Sequence, residues 1–200
     1  MMLIEETSVP DAALPVAEFK AHLRLGTGFS DHAVQDAVLT SFLRAAMAAI
    51  EGRTGKILLS RDFAWTLTRW RHPVQQVLPV APVTDLVELV ITDAAGNETT
   101  LDANSYRLER DHHAPRLCAA GGVLPAIPAG GTADISFRAG YAMALGDLPA
   151  DLAQAVFMLA GHYYEHRAET GRDEGAMPYG VSVLLERYRP VRLGTGGGLA

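Results

Sequence analysis

Residues 61–68 read Arg-Asp-Phe-Ala-Trp-Thr-Leu-Thr, and their period decides the fold class. Phe63, Trp65 and Leu67 alternate with Ala64, Thr66 and Thr68, so each set leaves one face of an extended chain. Just upstream the period is helical. Val34, Val38, Ala45 and Ala49 form one stripe, and Leu39, Phe42, Leu43, Ala46 and Ile50 form a second. Ser30 is a good N-cap for this helix, Asp31 faces the positive end of its dipole, and Gly55 is a natural stop. The two stripes together are too wide for one buried face, which predicts a helix packed on two sides.

Working outward, Pro15 can open a short helix because its missing N–H costs nothing in the first turn; Val16, Phe19 and Leu23 then share a face. Gly26 and Gly28 interrupt the chain. Beyond Thr68, Pro73, Pro79 and Pro82 mark a loop. Residues 86–92 are rich in β-formers, 93–97 (Asp-Ala-Ala-Gly-Asn) carry a hairpin signal, and 98–101 return. Short strands are predicted over 106–109 and 133–138, the latter with Ile135 and Phe137 inward and Ser136 and Arg138 outward. Strands joined by short turns predict one small antiparallel sheet. Pro149 opens another helix, with Leu152, Ala155, Val156, Leu159 and Tyr163 at helical spacing. Residues 169–177 read as a polar loop, and 179–188 as an amphipathic segment with Val181, Leu184, Leu185 and Tyr188 on one side. The reading is α+β, a single domain over 1–193: helices 15–55, a β region 61–141, a helix 148–167 and an arm 178–193, before a flexible Gly-rich tail at 194–200.

With 48% hydrophobic residues the chain of 200 can bury a real core. A net charge of −6 argues against a mainly nucleic-acid-binding protein, since neutralising phosphates needs excess Lys and Arg. It leaves room for a surface that lets DNA pass by repelling it. The single cysteine, Cys118, rules out an internal disulfide and reads as a small buried hydrophobe. Residues 1–10 carry Glu5 and Glu6 and no basic stretch, so no signal peptide is expected, and no apolar run reaches the about 18 residues a span needs. The expectation is a soluble protein made in the bacterial cytoplasm.

Residues 162–166, His-Tyr-Tyr-Glu-His, match a pattern of inverted zinc peptidases: two His one turn apart can share a metal and the Glu can polarise its water. Such a site needs a third ligand, and none is evident after His166; Tyr163 moreover lies on the core stripe. His112 and His113 are adjacent, so their side chains diverge, and they read as solvated loop residues. The runs at 26–28 and 194–198 lack the Lys and the helix of a phosphate loop, and Ser182 lacks the second Gly of a nucleophile elbow. Arg61, Arg69 and Arg71 flank Trp65 and Trp70, which reads as a solvated strand edge with Trp65 in the core rather than a base-stacking surface. No constellation demands catalysis, and no catalytic residue, metal or cofactor is expected.

Six strings carry a resemblance. They are Glu18–Leu25 (E-F-K-A-H-L-R-L), Ala45–Gly55 (ending I-E-G-R-T-G), Leu78–Val83 (L-P-V-A-P-V), Ser136–Tyr141 (S-F-R-A-G-Y), Leu148–Leu152 with Gly161–Arg167 (G-H-Y-Y-E-H-R), and Tyr179–Val181 leading to Tyr188-Arg189. Each is weak alone; in this order, over nearly the whole chain, they resemble the head-to-tail connector (adaptor) family of tailed bacteriophages. The Ala- and Arg-rich composition suits a gene transfer agent or a prophage of a GC-rich host.

The resemblance implies a structural virion protein of the neck, not an enzyme. Such adaptors form a homo-oligomeric ring, a dodecamer in family terms, under the portal protein. They join it to a stopper or other tail-side neck protein, and DNA passes through the channel without specific binding or any membrane contact. On that reading Leu184, Leu185 and Tyr188 anchor the arm to the portal, with Arg189 and Arg192 pairing acidic groups, and Val34, Val38 and Phe42 face a neighbouring subunit. The alternatives are a metal-dependent hydrolase using His162, Glu165 and His166, or another neck protein such as a stopper or tail-completion factor.

Overall fold

A computed structural model describes residues 2–25, 32–167 and 177–189, with side chains from residue 35 in the second segment. Its strands and helices, in chain order, are β1 (Met2–Glu5), α1 (Val16–His22), α2 (His32–Thr54), β2 (Arg61–Leu67), β3 (Gln75–Val77), β4 (Val83–Thr92), β5 (Glu98–Thr100), β6 (Tyr106–Glu109), β7 (Arg116–Ala119), β8 (Thr132–Ala139), α3 (Ala150–Glu165) and α4 (Tyr179–Leu185). The class is α+β, as the periods predict. The N-cap expected at Ser30, residues 169–176 of the expected polar loop, Arg192 and the Gly-rich end lie outside the described residues.

The single sheet of the sequence reading is corrected to two. Five strands pair in the order β1-β2-β8-β4-β5 and three in the order β3-β7-β6, all antiparallel. The strands that pattern reading lacked are β1, β3 and β7. Each has only three or four residues, too few for a period to show, and β3 lies inside the Pro-marked stretch read as a loop. The alternation at 61–67 is realised: Phe63, Trp65 and Leu67 are buried and pair across β8 with Phe137, Ile135 and Ala133. Phe63 and Phe137 stack with ring centroids 5.7 Å apart.

Burial divides between a sheet core and a helical core. The sheet core gathers Phe63, Trp65, Leu89, Leu117, Ile135 and Phe137; the helical core gathers Phe19, Leu39, Leu43, Ile50, Leu152, Val156 and Leu159. Of the two α2 stripes, the one with Leu39, Leu43, Ala46 and Ile50 is buried, whereas Val38 and Ala45 on the other are exposed. Gly55 adopts φ 65 after the last turn and its N–H donates to the Glu51 carbonyl, the helix stop expected of it. Gly140, in the A-G-Y string, sits at φ 142, and a Cβ there would fall 2.5 Å from the Ser60 backbone, so no other residue fits.

Arg61 overturns the reading of a solvated strand edge. It is 9% exposed, and its guanidinium bridges Glu5 of β1 at 2.8 Å and Glu51 of α2 at 2.6 Å. The other Glu51 oxygen accepts from the Leu58 N–H at 2.8 Å. Burial pushes the Glu51 carboxyl above its ordinary range, against the lowering pull of Arg61. This knot ties β1, β2 and α2 together. Arg69 and Arg71 are exposed as expected.

Candidate assembly interface

The arm folds back on its own subunit. Pro178 precedes α4, and the chain tightens into a single 3₁₀ turn at Glu186–Tyr188. Val181 and Leu185 are fully buried and Tyr188 is nearly so, all within the helical core. Gly180 lets α4 approach α3 closely: a Cβ there would lie 2.9 Å from the Met158 Cε. Leu184 is half-buried on the same core. While α4 stays docked, Leu185 and Tyr188 therefore cannot reach a partner. The residues that point away are Tyr179, 85% exposed, Val183, 54% exposed, and the charged Glu186, Arg187 and Arg189.

A polar knot locks the end of the arm to the start of α3. The Tyr188 hydroxyl donates to Asp151 at 2.7 Å, and the Arg187 Nε lies 2.9 Å from the other Asp151 oxygen. The Arg187 guanidinium also covers the Tyr188 ring at 4.7 Å from its centroid. Tyr141 meets Tyr188 edge-on at 6.0 Å, and burial, then Tyr188, pushes its phenol up to about 12. Tyr141, Arg187 and Tyr188 line an open cleft of about 340 Å³ whose rim carries His112 and His113, both exposed. Arg189 makes only a loose contact with Glu186, at 3.7 Å.

On α2, Val38 is 39% exposed, while Phe42 is half-buried with its ring edge-on to Tyr164. The Val34 side chain lies outside the described residues. The exposed residues of α2 are otherwise small and weakly polar up to its last turn, Ala37, Ser41, Ala45, Ala48 and Gly52, where Arg53 adds a cation.

His162 and His166 do meet, ring centroids 4.3 Å apart, but the His166 Nδ1 hydrogen-bonds the His162 carbonyl and Glu165 is exposed. No group of three or more His, Cys, Asp or Glu stands together in metal-holding geometry among the described residues. Cys118 is buried in β7, where burial raises its thiol pKa. No described helix is long and apolar enough to cross a membrane.

The pattern reading missed the surface of β1. Met2, Leu3 and Ile4 are 58%, 38% and 45% exposed, three large apolar side chains in a row on a sheet edge. The only available signal was composition, Met-Leu-Ile-Glu at the head of the chain, and four residues carry no period.

No protein-family model matches the chain, and no curated protein matches it. Solved structures do. A chain in the neck of an empty gene transfer agent particle, computed with six-fold symmetry, is 54% identical over 98% of this chain and 99% of that one, with a TM-score of 0.89. A chain in the virion of a native gene transfer agent particle is 54% identical with the same coverage and a TM-score of 0.86. A third, in the neck of a native particle computed with twelve-fold symmetry, is 50% identical, again over 98% and 99%, with a TM-score of 0.84. With half or more of its residues shared over nearly its full length, the chain belongs to the family of gene transfer agent neck proteins.

Proposed function

We propose that this protein is a structural component of a virion neck, the head-to-tail adaptor that forms a ring beneath the portal and joins it to the next neck protein around a channel for DNA. The observation that carries the reading is the full-length identity of 50% to 54% with chains of particle necks solved with six- and twelve-fold symmetry. The surface supports it in kind: among the exposed apolar groups, Tyr179 with Val183 and Met2 with Leu3 and Ile4 form outward strips on α4 and β1. The role is assembly, not turnover.

In this reading the portal contact shifts from the buried to the open side of the arm. Tyr179 and Val183 stand one turn apart on α4, with Arg187 one turn further, an i, i+4, i+8 strip of the kind that lies in a partner's groove. Arg189 supplies a second cation at the same end. The open face of α2 around Val38 is a further apolar surface for a neighbouring subunit.

A pair of substitutions, Tyr179→Ser with Val183→Asp, tests the arm without touching the core. Thermal unfolding of the variant is expected to stay within about 2 °C of the parent, while particles carrying it lose the neck and tail. Normal particles would remove this strip from the portal contact. A side-chain-resolution map of the particle decides the position: a ring against the portal supports the adaptor reading, and a ring one layer further down makes the protein a stopper.

A further inference from the structure

The five-stranded sheet ends on two strands that each pair on one side only, β1 with β2 and β5 with β4. The ladders fix which backbone groups are left over. The Glu6 N–H donates to the Asp62 carbonyl at 2.9 Å, so by the alternation of an antiparallel pair residues 2, 4 and 6 face β2. Leu3 and Glu5 therefore turn their N–H and C=O outward. On the far edge the Leu101 N–H donates to the Leu89 carbonyl at 2.9 Å and the Asp93 N–H to the Asn97 carbonyl at 3.0 Å. Residues 97, 99 and 101 thus face β4, and Glu98 and Thr100 turn their backbone outward.

Proteins blunt such edges with Pro, Lys, a bulge or a covering loop, because an open edge recruits strands from other chains. Among the described residues β1 has none of these: it is Met-Leu-Ile-Glu in regular register, apolar but for Glu5 and exposed on both faces. It is also held in place, since the Glu5 carboxylate is anchored on buried Arg61. An edge this regular, this apolar and this well fixed is built to be covered.

The sheet itself indicates what covers it. Every pairing is antiparallel and the strands number five, so β1 and β5 run in the same direction at opposite edges. Copies related by rotation about a ring axis present the β5 edge of one to the β1 edge of the next, two different surfaces that close only as a ring. We infer that β1 and β5 form the joint between subunits: the outward edge of β1 in one copy adds, in parallel, to the outward edge of β5 in the next. The inference rests on the ring reading and names the surface that makes the ring. Closure removes both open edges at once, as it does in a barrel.

The test is run on neck complexes taken from particles, with dissociated subunits as reference. Hydrogen exchange at Leu3, Glu5, Glu98 and Thr100 is expected to slow by about 100-fold in the complex. Leu3→Pro removes one outward donor and leaves the β1–β2 ladder intact, since Pro is tolerated on an edge strand where the N–H faces away from the sheet; it is expected to abolish rings while the subunit keeps its unfolding midpoint. Native mass spectrometry counts the copies. Wild-type rings whose edge amides exchange as in the free subunit overturn the joint and leave the ring standing; so does a Leu3→Pro protein that forms rings in full yield. Wild-type complexes with no multiple copies overturn the ring reading and the joint together. Should Leu3→Pro unfold, the exchange of the wild-type complex decides alone.

Discussion

Arg61 shows how much one side chain holds in this protein. Removing it leaves Glu51 buried without its partner, which costs about 3 to 5 kcal/mol in comparable sites. Arg61→Met is therefore expected to lower the unfolding free energy by about 3 kcal/mol near neutral pH. The pH dependence has a definite sign. The Glu51 carboxyl is already held above its ordinary range by burial, and losing Arg61 raises it further. A carboxyl whose folded pKa exceeds its unfolded one favours the folded chain when protonated, so stability is present below the ordinary carboxylate range and is lost as pH rises through the folded value. Urea unfolding of Arg61→Met at about pH 5 and about pH 8 should show the larger deficit at the higher pH. An equal deficit at both would mean that Glu51 finds another cation. The residues of this knot were visible in the sequence, but their meeting was not. Glu5, Glu51 and Arg61 come from a strand too short to recognise, a helix end and a strand start; the pairing of β1 with β2 brings Glu5 to Arg61, and the placement of the α2 end against β2 brings Glu51.

At the scale of the element, α4 has two faces with different duties. Leu185→Ala should destabilise the subunit by about 3 kcal/mol, as a buried leucine deletion does, whereas Val183→Ala on the open face should stay within about 0.5 kcal/mol. Chemical denaturation of the two variants distinguishes them; equal effects would mean that α4 is not docked in solution. The amphipathic period of 179–188 was legible, since Val181, Leu184, Leu185 and Tyr188 do share a side. Whether that side meets a partner or the subunit's own helices was not, because apolar spacing is the same for both. What decides it is Gly180, which brings α4 against Met158 of α3, and the Asp151–Arg187–Tyr188 knot that fastens the end. For the long helix α2 the two-sided apolar pattern predicts packing on both sides; within the subunit one stripe is buried, against α3 among others, whereas Val38 and Ala45 on the other stay open.

For the whole molecule, charge sets the relation to DNA. With a net charge of −6 the surface lacks the cation excess that holds duplex by counterion release. The purified protein is expected to leave duplex DNA unretarded in a gel-shift assay at about 0.15 M salt; tight, salt-sensitive binding would contradict the proposed channel for DNA. The sequence by itself determined the fold class, the long helices and the central strands, because a period of two or 3.6 repeated over seven or more residues leaves one way to bury the apolar set. It also carried the strings that resemble neck connectors. Tertiary structure alone decided that the strands split into two sheets, that Arg61 is a buried bridge, that the arm's apolar side faces inward, and that Met2, Leu3 and Ile4 lie on an open edge. The physical reason is the same in each case: period records that a residue is apolar on one side, whereas burial depends on which distant segment arrives to cover it.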